Sequence, residues 1–136
     1  MALISEITVK DKLYAFLNNS EVASLIRGRI YKDNRPDNSP LEDVEITVLA
    51  STARQNQEFS VNVNVFVHDI KRDAQEWIEN TQRIRVLCDS FMSVLEYARY
   101  EGLMIALDEQ HVNKHLEADL HVITNRVLVK FNSENQ

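Results

Sequence analysis

Glycine and proline are nearly missing from this chain, with two of each in 136 residues, and there is a single cysteine. Two glycines leave little material for a phosphate-cradling loop, and no GxGxxG, GxxxxGK[ST] or GxSxG pattern occurs. One cysteine, Cys88, cannot form an internal disulfide. The start MALISEITVK lacks the basic flank and long apolar run of a secretory signal, so the expectation is a protein folded in a reducing cytoplasm. No apolar stretch approaches the roughly 20 residues that a bilayer-spanning helix requires. Basic charge is also in short supply: 21 acidic against 15 basic side chains give a net charge of -6. Neither sign gathers into a block, which argues against the basic footprint of a sequence-specific nucleic-acid binder. The carboxylates are scattered and no pair stands out as general acid and base. Neither a catalytic residue nor a cofactor is expected.

What is present is hydrophobic patterning of two periods. The length and 44% hydrophobic content fit one domain with its own core, residues 1–136, of which 132–136 read as a frayed tail. Apolar residues fall at helical spacing over 4–17 and stop at Asn18 and Asn19, giving a first helix. Ser20 caps a short helical turn, EVASLI. Gly28 follows as the residue that best tolerates the left-handed conformation after a helix. Arg29, Ile30 and Tyr31 form a short strand. Val44, Ile46 and Val48 alternate with Glu45, Thr47 and Leu49, and FSVNVNVFVHD places Phe59, Val61, Val63, Val65 and Val67 on one face. These two segments predict an antiparallel hairpin linked by a polar turn over 53–57. The opposite face carries Ser60, Asn62 and Asn64, so it faces water or another subunit.

Asp73 and Glu76 resemble a capping box, which predicts one long helix from there to about Arg99. Its core stripe is Ile84, Leu87, Cys88, Phe91, Val94, Leu95 and Ala98, and Gly102 ends the block. Strands over 103–107 and 121–131 complete an α+β layout: a mainly antiparallel sheet with the long helix and the N-terminal helix packed on it.

His111 and His115 are four apart and His121 is near. They would share a metal only on a helix, whereas the segment reads as strand and turn, where surface histidines are the simpler account. Cys88 reads as a small apolar core residue. Trp77 either caps one end of the core or stacks on a ligand. Arg27 and Arg29 flank Gly28 and are placed to pair with carboxylates of this or another subunit. The run over 32–43 holds both prolines along with Arg35, Asp37, Asn38 and Asp43. A loop of that length is either a mobile surface segment or a docking arm, and the prolines lower the entropy lost when it is ordered against a partner.

The run EVASLIRGRIYKDNRP, followed by a hairpin ending FSVNVNVFVHD, a long helix and a last strand NRVLVKF, resembles the tail completion, or tail terminator, family of long-tailed bacteriophages. The likeness spans nearly the whole chain in order of elements, with GRIY as its local signature. It departs from the family at HVNKHLEADL, where the family more often turns between its last two strands. The resemblance implies a non-enzymatic virion part: a ring, commonly of six subunits, that caps the head-proximal end of the tail tube and joins it to the head connector. The partners implied are further copies of the chain, the tail tube protein and the connector protein. The place implied is the virion neck, assembled in the host cytoplasm. Closing a ring needs two different complementary surfaces. The candidates are the polar face Ser60, Asn62 and Asn64, and the arm with Arg27, Arg29, Arg35, Asp37, Asn38 and Asp43. Two alternatives remain: another neck or baseplate component, and a small metal-dependent enzyme using His111, His115 and His121.

Overall fold

The computed structural model of the protein describes residues 3–54, 56–73, 76–115 and 118–132. Helix α1, Glu6–Asn18, starts where the Ser5 hydroxyl accepts the Thr8 backbone N–H, and it buries Val9, Leu13 and Leu17, each four residues apart. A short α2, Glu21–Leu25, leads through an extended Ile26 to β1, Ile30–Tyr31. Strands β2, Val44–Ser51, and β3, Gln57–His68, form the expected antiparallel hairpin, with Ile46 opposite Val63 and Thr47 opposite Asn62. After β4, Ile70–Asp73, and β5, Glu76–Ile78, comes α3, Thr81–Leu95, then β6, Tyr97–Tyr100, β7, Leu103–Lys114, and β8, Leu120–Phe131. Six strands make one curled sheet in the order β1-β2-β3-β8-β7-β6, antiparallel except for the β1–β2 pair. The fold is therefore mixed α/β in a single domain.

The core lies between the helices and one face of this sheet. Phe59, Val61, Val63, Val65, Ile123, Val127, Val129, Leu103 and Ile105 meet Val9, Leu13, Leu17, Leu87, Phe91 and Leu95 with essentially no exposure. The buried Gln57 ties α1 down: its side-chain oxygen accepts the Ile4 N–H at 2.7 Å and its amide donates to the Ile4 carbonyl at 3.1 Å. On the far side of the core the buried Asn125 donates to the Val63 carbonyl, and its oxygen accepts from Gln110. The Gln110 amide also reaches the Cys88 carbonyl of α3. Such satisfied polar links fix the register that apolar contacts alone leave loose.

Several expectations are corrected. The long helix begins at Thr81, not near Asp73, because Asn80 rather than Asp73 is the cap, its side chain accepting the Arg83 N–H. The preceding backbone forms β4 and β5, residues 74 and 75 lying outside the described residues. The helix also ends at Leu95, so Ala98 faces the core from a strand. Gly102 does not stop a helix. It makes the two-residue turn between β6 and β7 with Glu101, at φ 85° and 45°, the left-handed pair that such hairpins need. Gly28, by contrast, is not left-handed. A Cβ there would sit 2.3 Å from Asp43 Oδ1 and 2.4 Å from the Glu42 carbonyl oxygen, so close approach is what requires glycine. Strand β7 runs seven residues past Leu107 because its polar half, from Asp108 on, lies on an edge and shows no apolar alternation. Gln57, expected in a turn, already belongs to β3, and residue 55 of that turn lies outside the described residues. The tail over 133–136 is likewise outside them, while Asn132 hydrogen-bonds Asn56.

Candidate interaction surfaces

The arm over 32–43 is laid across the end of the sheet and braced from within. Asp43 is fully buried: one oxygen accepts the Arg29 N–H at 2.9 Å, and the other accepts the Ser39 hydroxyl at 2.6 Å with the Arg35 guanidinium 3.5 Å away. Arg35 also donates to the Ser39 carbonyl and stacks 4.5 Å over the ring of Phe66, while its own N–H goes to Glu45. Glu42 is clamped by Arg83 through two charge-assisted bonds of 2.9 and 2.7 Å and accepts the Arg27 N–H. The Glu42 carboxylate lifts the Arg83 guanidinium above its ordinary pKa against an opposing effect of burial. Two of the expected contact residues therefore act inside the chain. Asp43 is a brace with no exposed surface, and Arg35 is largely covered. Arg27, Arg29, Asp37 and Asn38 are exposed, the last at φ 58° in the turn where the Ser39 N–H meets the Pro36 carbonyl. The prolines of this segment thus serve a tethered loop with a small free tip.

The register of the sheet collects the other predicted group. Ser60, Asn62 and Asn64 lie on the face away from the helices, beside Glu45 and Thr47 of β2 and Thr124, Arg126 and Leu128 of β8. Among the described residues no helix covers this face. Asn62 Oδ1, Asn64 Oδ1 and Arg126 Nε are nonetheless shielded from solvent and have no hydrogen-bond partner there. Arg126 was not singled out from the sequence, since its place beside Asn62 follows only from the β3–β8 register.

A second polar group escaped sequence reading because it joins the ends of three strands. Asp69, just past β3, is buried; it accepts from Lys114 Nζ at 2.8 Å and lies 2.7 Å from His121 Nδ1, whose Nε2 is 3.4 Å from Glu79. Burial pushes the Asp69 carboxyl up, but the hydrogen bonds from Lys114 and His121 outweigh it and hold the group below its ordinary value. A carboxyl with a depressed folded pKa adds stability that is present above the unfolded value near 3.9 and is lost as pH falls through the folded one. Asp69→Asn is therefore expected to cost about 2 kcal/mol at pH 7 and to flatten the acid limb of a urea-unfolding pH series. An unchanged acid limb would remove Asp69 from that role. The group borders an open cleft of about 1000 Å³ between the arm tip and β5, lined among others by Phe66, His68, Trp77 and Leu120.

The histidines do not converge. His111 stands on the outer face of β7 beside Glu109, whereas His121 points to the opposite face against Asp69. Among the described residues no group of three or more His, Cys, Asp or Glu is placed to hold a metal. Cys88 packs half-buried against the core; burial, with the charges of Asp89 and Glu79, pushes its thiol up, away from nucleophile chemistry. Trp77 is neither in the core nor on α3 but 45% exposed on β5, with Lys71 Nζ 5.0 Å above its ring. No helix among the described residues is long and apolar enough to cross a membrane. No family model and no curated protein matches the chain.

Proposed function

We propose that the chain is a non-enzymatic virion assembly protein, a ring-forming tail terminator that caps the head-proximal end of a phage tail tube and joins it to the head connector. The observation that carries this reading is the uncovered sheet face, where Asn62, Asn64 and Arg126 hold shielded polar atoms without partners. A shielded polar atom left unpaired costs about 1–3 kcal/mol, and a neighbouring subunit or tube protein that supplies the missing bonds recovers it. The exposed arm tip, Asp37 and Asn38, with Arg27 and Arg29, gives a second, chemically different surface on the same domain. The order of elements supports the reading too: a helix, a short turn, GRIY, a braced loop, a hairpin, a helix and a final strand pair. A net charge of -6 without a basic stripe is consistent with a lumen through which DNA passes without sticking.

The test adds the purified protein to growing tail tubes. Growth is expected to stop, with the protein at one tube end; tubes that elongate as before with nothing bound would refute the assignment. The Asn62→Ala/Asn64→Ala variant sharpens it. Because the lost oxygens are unpaired in the free chain, unfolding should shift by less than about 1 kcal/mol while capping is lost.

A further inference from the structure

The β4–β5 hairpin pairs with no other strand and leaves Ile70 and Trp77 nearly half exposed, so little apolar burial anchors it. A two-stranded hairpin of this kind is marginal in water, and contacts at its base decide whether it stays in place. Its first pair is Ile70 with Ile78, which makes Asp69 and Glu79 the residues that flank the base. Both carboxylates turn to one side chain. His121, near the start of β8, stands with Nδ1 2.7 Å from Asp69 Oδ1 and Nε2 3.4 Å from Glu79 Oε2, its own side chain only 13% exposed. Lys114, its cross-strand neighbour on β7, sends its ammonium to the other Asp69 oxygen, and Val67, its neighbour on β3, is apolar. Asp69, Glu79 and Lys114 are thus the charged groups that the described elements bring to the ring.

We infer that a proton on His121 locks the β4–β5 hairpin at its base, and that its loss releases the hairpin and widens the cleft between the arm tip and β5. An ionised carboxylate only accepts hydrogen bonds, so both ring nitrogens are matched when each carries an N–H, and the imidazolium alone has two. The neutral ring keeps its one N–H for the shorter Asp69 contact and turns a lone pair toward Glu79, which it then repels. Histidine is the side chain that ordinarily changes charge between about pH 5 and 8, so the lock holds at the acid end of that window and opens at the alkaline end. Asp69 stays ionised throughout: against the upward push of burial, the hydrogen bonds from Lys114 and His121 hold its carboxyl below the ordinary value. The part that moves is a wall of the cleft, since Trp77 lines it opposite the arm tip, with Phe66, His68 and Leu120. The lock belongs to the single chain and does not depend on ring formation.

Trp77 is the one tryptophan of the chain, so its quenching by acrylamide reports the hairpin directly. The quenching constant is expected to rise about twofold between about pH 5 and 8 in a single-proton step, as a ring that is 45% exposed when held becomes free. His121→Gln has no proton to gain and should read open at both ends of the range. Glu79→Gln should read closed at both, because the new amide donates to the neutral ring nitrogen and accepts from the charged one. Opposite levels from two changes at one contact are an outcome that misfolding cannot imitate. His68→Gln and His115→Gln, whose histidines line the same cleft as Trp77, should keep the parent's step. The lock is overturned by a parent without a step, by a step that survives in His121→Gln, by one that vanishes with His68 or His115 instead, or by Glu79→Gln reading open.

Discussion

Asp43→Ala is expected to cost about 3–5 kcal/mol, the penalty for breaking a buried charge pair by removing one partner. The carboxylate is fully buried, accepts hydrogen bonds from the Arg29 N–H and the Ser39 hydroxyl, and forms an ion pair with the Arg35 guanidinium at 3.5 Å. Its loss leaves Arg35 covered without its anion and frees the arm from β1. Equilibrium urea unfolding reads the loss directly. Limited proteolysis should show early cuts within 32–43, since a loop released from its brace is the first segment to open. A variant within 1 kcal/mol of the parent would mean that the arm is held by Phe66 stacking and Glu42 instead. Removing residues 34–39 would act on the same network. That excision takes away Arg35 and Ser39, so it is expected to destabilise the fold and is a poor probe of docking.

Gly28→Ala is the second large effect, about 3 kcal/mol or more. Overpacking a filled site ordinarily costs about 1–3 kcal/mol. Here the new methyl meets, besides Asp43 Oδ1 at 2.3 Å, the backbone of Glu42 at 2.4 and 2.6 Å, which cannot swing aside as a side-chain end can. Relief requires moving residues 42 and 43 away, which also stretches the Arg83–Glu42 clamp and the Arg29–Asp43 bond. Thermal melting checks it, and Gly28→Ala combined with Asp43→Ala should cost well under the sum of the two, because both act on one network. Full additivity would mean that glycine is needed there for another reason.

These two residues show what the sequence made legible. Gly28 and the GRIY block stood out as punctuation, and the strand that follows them was read correctly. The reason for the glycine was not legible, because the atoms that crowd it come from 14 and 15 positions away. Alternation in FSVNVNVFVHD specified both faces of β3, since a strand with one buried face must repeat every two residues. The β4–β5 hairpin was missed because Asp73 and Glu76 match a helix cap locally, and nothing nearby shows that Asn80 is the real one. The polar half of β7 was missed for a related reason: a strand at an edge has no second apolar layer to betray it. The Asp69 and Arg126 groups depend on register between strands far apart in sequence, which no window of the sequence contains.

The central claim is closure of a ring, and the mass in solution reaches it most directly. Light scattering over a concentration series, with negative-stain images of the largest species, is expected to show a discrete closed oligomer in equilibrium with monomer, without intermediates growing indefinitely. When tail tubes are present, the same species should sit at one end. A chain that remains monomeric at every concentration and leaves tubes uncapped would contradict the account.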